Sequence, residues 1–198
     1  MVSANIVTGV LFLLALCLYG ATEMRIEWHS RQEQVTSSTT QSDGGSKAGL
    51  GIAMTVGFVL ALAAQALPAL TIYPPWPAWP MFVLAMLLLV IAAAGRMWAV
   101  RTLGRWFTTD VRTDSAQPVI DVGPYRWVRH PSYTAALLAS VAIGLALDNW
   151  LSLAAMIVFP VLGFANRIRT EERALLSALG DAYREYSRTH RRLVPGLW

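Results

Sequence analysis

Residues 121–176 read DVGPYRWVRHPSYTAALLASVAIGLALDNWLSLAAMIVFPVLGFANRIRTEERALL. Two apolar runs, Ser132–Leu147 and Leu151–Ala165, flank the polar pair Asp148–Asn149, and a charged segment stands outside each run. Runs of this length joined by a short polar turn are typical of a helical hairpin just long enough to cross a bilayer. Because a hairpin returns the chain to the side it left, the two charged segments are predicted to meet at one membrane face.

The whole chain has the composition of a membrane protein. Of its 198 residues, 55% are hydrophobic and 14% are charged, and the mean hydropathy is +0.46. The formal charge of +4 comes from basic residues beside apolar stretches, which typically report membrane orientation and argue against a nucleic-acid partner. A lone Cys17 and three scattered histidines predict neither an internal disulfide nor a metal site.

Three further spans precede the hairpin in the predicted topology. Met1–Thr22 carries no charged side chain, and because no basic segment precedes its apolar run, it is interpreted as a retained helix and not as a signal peptide. The uncharged stretch that follows is broken by PPWPAWP at Pro74–Pro80 into the spans Leu50–Ile72 and Met81–Val100. Gln65 lies inside the first of these, where an interhelical hydrogen bond is its expected role.

The predicted fold is therefore an all-α integral membrane protein with five transmembrane helices and an amphipathic C-terminal helix. The polar segment at 23–47 is expected to be a solvated loop within an N-terminal three-helix membrane region, residues 1–100. In the tail, Gly180 before Asp181 is typical of a helix that stops and restarts. One helical face there is apolar or aromatic, formed by Ile168, Leu175, Leu176, Leu179, Tyr183 and Tyr186. This face predicts either a cover over a site or a membrane anchor.

The basic residues predict the orientation. All sixteen Lys and Arg side chains fall at 23–47, at the end of the third span, at 101–129 or in the tail. The positive-inside rule then places the N-terminus outside and the C-terminus in the cytoplasm, in the inner or plasma membrane of the cell.

The first charged segment carries side chains suited to a ligand. Pro131 fits the first turn of a helix, so His130 and Ser132 are predicted at a helix N-terminus, whose free N–H groups favour an anion. Tyr125 and Tyr133 offer aromatic faces and hydroxyls for an adenine, a ribose or a cation. The alternative is an interfacial aromatic belt with arginines reaching the headgroups, to which Arg126, Trp127 and Arg129 are suited.

The second charged segment places Arg167 and Glu171 four residues apart, on one helical face. A surface ion pair is the alternative reading of that spacing. Their position at the end of the last span, facing the first segment, favours a functional role.

These segments resemble the C-terminal signature of the isoprenylcysteine carboxyl methyltransferase and phospholipid methyltransferase family. The resemblance rests on GPYRWVRHPSY, a hairpin, and then RIRTEERALLSALGDAYREYSRTHRRLVPGLW. It covers roughly residues 103–195 and marks the chain as a short, bacterial-type member. It implies that residues 101–198 form a methyltransferase-like, cofactor-binding region that makes one structural unit with the N-terminal helices.

The resemblance also implies site residues and a cofactor. S-adenosylmethionine, with S-adenosylhomocysteine as product, would lie in a cytoplasmic-side pocket. The implied cofactor contacts are Gln117, Val119, Ile120, Tyr125, His130, Pro131, Ser132, Tyr133 and Glu171. Gln117 stands where some relatives carry histidine. Glu171 and Arg167 are the implied catalytic pair, with Arg167 facing the acceptor, a lipophilic small molecule or a lipidated substrate.

The expected reaction is carboxyl O-methylation, since a carboxylate is already ionised at neutral pH and the transfer mainly needs positioning and exclusion of water. No metal is required. Two alternatives stay open: an NADPH-dependent membrane reductase of the sterol-reductase type, whose cofactor phosphate the arginines would bind, and a non-catalytic membrane scaffold.

Overall fold

In the computed structural model, which describes residues 2–35, 44–72, 79–108 and 117–194, the chain folds into five α-helices. They are α1 (Val2–Val35), α2 (Ser46–Ala63), α3 (Trp79–Leu103), α4 (Pro131–Ala146) and α5 (Trp150–Thr189). Short 3-10 turns lie at Ala64–Ala66, Pro68–Leu70, Gly104–Trp106 and Gly123–Arg126. The described ranges confirm the prediction of an all-α fold.

Four of the described helices, α1, α2, α3 and α5, are long and apolar enough to cross a membrane. Helix α4 is apolar but has 16 residues, which at about 1.5 Å per residue is shorter than a hydrocarbon core of about 30 Å. The chain is thus a helical membrane protein, and five complete spans remain a prediction.

The prediction of a polar loop at 23–47 is wrong for most of the described residues in this range, because α1 continues to Val35 and α2 begins at Ser46. The middle of the range lies outside the described residues. Partners on other helices explain the difference. Glu23 pairs with Arg96 of α3, and Glu27 pairs with Lys47 at 2.8 Å. Contacts of this kind compensate a polar segment for the entropy lost on ordering.

The second predicted span is also shorter than expected, since α2 ends at Ala63 and 3-10 turns follow. Pro68 cannot donate a backbone hydrogen bond and so cannot continue the helix. Gln65 makes the expected interhelical contact, donating to Leu147 O at 3.0 Å and to Ser152 Oγ at 2.9 Å. The proline-rich break lies outside the described residues up to position 78, and Trp79 begins α3.

The predicted hairpin is formed by α4 and the first half of α5. Asn149 caps α5, with its side-chain oxygen accepting from the N–H groups of Leu151 and Ser152 at 2.9 and 3.1 Å. Gly144 lets the two helices approach, because a Cβ there would lie 2.9 Å from Leu153 Cα. Close packing matters here because the hydrophobic effect does not drive two helices together in lipid, so van der Waals contacts have to hold the pair.

The bundle is built from two long pairings: α2 packs along α5, and α3 packs along α4, while α1 lies against α3 at one edge. The core between them is formed mainly by small side chains, with Ala61, Ala92, Ala139, Ala142 and Ala155 all buried. Small residues allow close backbone packing in a membrane.

Helix α5 carries the chain beyond the apolar run that ends at Ala165. It continues to Thr189 with one break at Gly180, whose φ of 55° and ψ of −126° are not helical. The stop and restart predicted at Gly180 is confirmed. The break turns the last part of α5 back towards the bundle, so that Tyr183 and Tyr186 are 4% and 9% exposed.

Candidate active site

A partly open cavity, with about 820 Å³ of empty space including the part open to solvent, lies where the two charged segments meet. Residues from the end of α3 and the turn after it, from the 117–133 segment and from α5 line it: Leu103, Trp106, Phe107, Thr108, Gln117, Pro118, Val119, Ile120, Tyr125, Arg129, His130, Ser132, Tyr133, Glu171, Leu175, Leu179, Tyr183 and Tyr186. Eight of the nine residues predicted for a cofactor are among them. The meeting of the two segments, predicted from the hairpin alone, is thereby confirmed.

A glycine turn brings Tyr125 to the cavity. Gly123 has a φ of +59°, and a Cβ there would lie 2.9 Å from Thr102 Oγ1, so both the backbone conformation and the space favour glycine. Pro124 follows in the 3-10 turn. The Tyr125 carbonyl accepts a hydrogen bond from the Tyr186 hydroxyl at 2.6 Å, which ties this turn to the end of α5.

The tail pairs with the strand-like segment before α4. The N–H groups of Arg129 and His130 donate to the carbonyls of Arg191 and Arg192 at 2.8 and 2.9 Å, in an isolated parallel bridge. His130 was predicted at a helix N-terminus whose free N–H groups favour an anion, and its own N–H group is bonded to the tail instead. Because Arg191 and Arg192 are far from Arg129 and His130 in the sequence, no local pattern predicted this pairing.

Glu171, Tyr133 and His130 form a polar group on the cavity wall. The Tyr133 hydroxyl donates to Glu171 Oε2 at 2.7 Å. The His130 ring stacks on Tyr133, with ring centroids 5.4 Å apart, and its Nδ1 lies 3.8 Å from the same Glu171 oxygen. The Glu171 side chain keeps 30% of its surface exposed. The carboxylate therefore faces the cavity, while His130 behind it is buried.

Glu172, the next residue, organises the wall behind the cavity. Its carboxylate accepts from Arg192 Nε and Nη2 at 3.0 and 2.8 Å and lies 3.1 Å from Arg129 Nη2. His130 Nε2 is 3.3 Å from Glu172 Oε1. Burial raises the pKa of Glu172, but the hydrogen bonds from His130 and Arg192 and the charge of Arg129 outweigh it and lower that pKa to about 2. Glu172 is ionised at neutral pH.

Arg167 and Pro131 stand apart from the cavity lining. Arg167 is 3% exposed, and its Nη1 donates to Ser46 Oγ at the start of α2, at 2.7 Å. Its guanidinium is also within hydrogen-bonding reach of the Tyr133 hydroxyl. The alternative of a surface ion pair is wrong, since Arg167 is buried. Pro131 lies on the opposite side of α4, beside an apolar groove.

Arg96 is a second guanidinium next to the site. Its Nη1 donates to Ser132 Oγ at 2.6 Å and to Ser132 O at 3.3 Å, and its Nε donates to Glu23 of α1. Through Arg96, helix α1 contacts the first turn of α4. A charged residue at the end of an apolar span often marks a functional site, so the sequence already contained a signal for Arg96.

Two buried polar atoms on the cavity wall have no hydrogen-bond partner among the described residues. They are Arg129 Nε and the Tyr183 hydroxyl. Buried polar atoms are nearly always paired in native proteins, so atoms left without partners at a cavity favour a bound polar ligand there. In the described ranges no three His, Cys, Asp or Glu side chains come together as metal ligands would.

Comparison with known proteins relates this site to a family. Residues 83–177 match the isoprenylcysteine carboxyl methyltransferase (ICMT) family. The protein-S-isoprenylcysteine O-methyltransferase of Saccharomyces cerevisiae is 35% identical over 106 residues, which cover 52% of this chain and 44% of that protein.

Two bacterial relatives are also similar. The uncharacterized protein YpbQ of Bacillus subtilis is 29% identical over 80 residues, 40% of this chain and 48% of the relative. The cobalt-zinc-cadmium resistance protein CzcN of Cupriavidus metallidurans is 33% identical over 120 residues, 58% of this chain and 49% of the relative. The chain spans about half the length of these three relatives. The segment at residues 83–177, which holds most of the cavity wall, is therefore similar to the isoprenylcysteine carboxyl methyltransferase family.

Proposed function

We propose that the protein transfers a methyl group from S-adenosylmethionine to the carboxylate of a lipophilic, isoprenylcysteine-type acceptor at the membrane. One observation carries the proposal. Tyr125, His130 and Tyr133 are far from Glu171 in sequence yet share one cavity with it, and all four lie inside the segment that matches the methyltransferase family.

The cavity residues fit the chemistry of this cofactor. The Glu171 carboxylate suits a cationic sulfonium or ammonium group, and the tyrosine rings offer faces for an adenine or a cation. The unpartnered Arg129 Nε and Tyr183 hydroxyl suit a carboxylate and a hydroxyl. Gln117, Val119 and Ile120 supply a further part of the lining. These residues would hold the cofactor.

The side chains of the cavity mainly have to bind the cofactor and the acceptor and to exclude water. S-adenosylmethionine, when bound, supplies an already activated methyl group, and a carboxylate acceptor has no proton to lose. Leu175 and Leu179 of α5 and Phe107 make part of the cavity apolar, which keeps water from a reactive group. We place Arg167 towards the acceptor carboxylate, since a guanidinium can hold a carboxylate with two hydrogen bonds.

Calorimetry on the detergent-purified full chain tests the cofactor. Titration with S-adenosylhomocysteine is expected to give saturable heat, and titration with NADPH is expected to give none. A methyl-transfer assay on a prenylcysteine analogue then tests the acceptor. Binding of NADPH alone would support a reductase in place of the methyltransferase. Binding of neither ligand would support a non-catalytic membrane scaffold.

His130→Ala is expected to weaken S-adenosylhomocysteine binding by about 5- to 150-fold, the equivalent of roughly 1–3 kcal/mol for a lost buried hydrogen bond. His130 is 5% exposed and holds Tyr133 by stacking. The dissociation constant is measured by calorimetry beside Arg169→Ala, which changes an exposed side chain on α5. A parental dissociation constant in a folded His130→Ala protein would remove this residue from the site.

We also propose that the protein crosses the inner or plasma membrane five times, with the N-terminus outside and the cavity at the cytoplasmic face. The one-sided distribution of Lys and Arg supports this orientation. Reporter fusions at Trp76 and at Trp198, both outside the described residues, are expected to report opposite sides of the membrane. Equal signals from the two fusions would contradict the topology.

A further inference from the structure

A second crevice lies between α1 and α3, beside the cofactor cavity. Its empty space is about 940 Å³, which includes the part open to its surroundings. Its lining includes the apolar side chains Ile26, Met97 and Val100 and the basic side chains Arg25, His29 and Arg101. Phe107 lines both this crevice and the cofactor cavity, so one aromatic side chain is common to the two.

The crevice is positively charged. Within the described ranges no carboxylate pairs with Arg25 or Arg101. The acidic side chains of α1 nearest in sequence are committed elsewhere, with Glu23 bonded to Arg96 and Glu27 bonded to Lys47. Two guanidinium groups with no carboxylate partner among the described residues, above an apolar floor, suit a ligand with an anionic head and an apolar body.

Aromatic residues place the crevice at headgroup depth. Trp28 of α1 and Trp98 of α3 are 64% and 47% exposed, and each stands three residues from an arginine of the crevice, Arg25 or Arg101. Exposed tryptophans of membrane helices concentrate at the level of the headgroups. Below this level, α1 exposes Leu11, Leu14 and Leu18, which is a surface for acyl chains.

We propose that the crevice binds an anionic phospholipid, with its phosphate between Arg25 and Arg101 and its acyl chains along the apolar surfaces of α1 and α3. A phosphate at this depth is attracted by each nearby arginine, and a guanidinium matches its oxygens with paired donors. A free phosphate would leave the apolar floor unused. The lipid site does not depend on the proposed methyl transfer, because neither arginine lines the cofactor cavity.

Lipid retention tests the proposal. The full chain, exchanged from nanodiscs containing equal phosphatidylglycerol and phosphatidylcholine into mild detergent, is analysed by native mass spectrometry for co-purifying lipid. Phosphatidylglycerol is expected to be retained over phosphatidylcholine. The double variant Arg25→Gln with Arg101→Gln is expected to lower that preference by roughly 30-fold, the equivalent of about 1 kcal/mol for each of the two cations. The matched control, Arg31→Gln with Arg188→Gln, removes two exposed arginines elsewhere and is expected to keep the preference.

The outcomes separate the lipid from other ligands. An unchanged preference in the double variant, or an equal loss in the control, would overturn the site. Displacement of the lipid by millimolar inorganic phosphate would overturn the assignment to a lipid. If the double variant does not fold, Arg101→Gln alone is used; it is expected to lose part of the preference, and a parental preference would overturn the proposal.

Discussion

Arg167→Ala is expected to keep the affinity for S-adenosylhomocysteine near the parental value and to lower the rate of methyl transfer by about 100-fold or more. The loss follows because an acceptor that is no longer oriented is displaced from the reacting geometry, and small displacements are costly. Arg167→Lys is expected to restore little activity, since an ammonium does not reproduce the planar pair of donors. A cofactor titration and a methyl-transfer assay on a prenylcysteine analogue measure the two effects.

Glu171→Ala is the complementary change. Glu171 lines the cavity, so its removal is expected to raise the dissociation constant of the cofactor by about 10- to 100-fold, as for a lost hydrogen bond to a charged group. Glu185→Ala, which removes an exposed carboxylate paired with Arg188, is the control. The two variants together assign one residue to the cofactor and the other to the acceptor.

The location of Arg167 sharpens the test. Its guanidinium contacts Ser46 Oγ and is within reach of the Tyr133 hydroxyl, so it is also able to act by positioning Tyr133. In that case Arg167→Ala would lower cofactor affinity and transfer together, and Arg167 would be a positioning residue. If Arg167→Ala and Glu171→Ala both bind cofactor and turn over like the parent protein, the proposed active site is wrong.

Glu172→Ala is expected to destabilise the folded protein by about 3 kcal/mol. The change leaves Arg129, whose side chain is 11% exposed, without this carboxylate partner, and a buried charge that loses its partner is strongly destabilising. For a chain of this size the loss corresponds to a fall of roughly 6–12 °C in Tm. Thermal unfolding in detergent measures it, with Glu185→Ala as the control. Equal Tm values for the two variants would contradict the role given to Glu172.

The same carboxylate predicts an acid-dependent stability. Since the pKa of Glu172 is lowered from its ordinary value of 4.5 to about 2 in the folded protein, its contribution is fully present above about pH 4.5. That contribution is lost as the pH falls towards 2. Glu172→Gln is expected to flatten this part of the stability profile, which thermal unfolding between pH 2 and pH 6 would show. A parental profile in the variant would assign the acid sensitivity to other groups.

Local sequence was sufficient for the hairpin and for the meeting of its charged ends. The lengths of the apolar runs, the polar pair Asp148–Asn149 between them, Pro131 in a first helical turn and the break at Gly180 are local signals. Each depends on the backbone of a few neighbouring residues. The hairpin fixes which ends of its helices lie together, so it also predicted that the segment of Tyr125, His130 and Tyr133 meets the segment of Glu171. The family resemblance then implied that these residues share a cofactor pocket.

Only the tertiary structure assigned a role to Glu172, which supports the cavity wall behind Glu171. Consecutive residues of a helix point about 100° apart, so Glu171 and Glu172 cannot share a role, and the rotation of α5 is set by its packing on α2 and α4. The long-range partners have the same origin. Ser46 reaches Arg167, Glu23 reaches Arg96, and the backbone of Arg191 and Arg192 reaches the segment before α4. These contacts join residues far apart in the chain, and their free energy arises only when the packed bundle brings them within hydrogen-bonding distance.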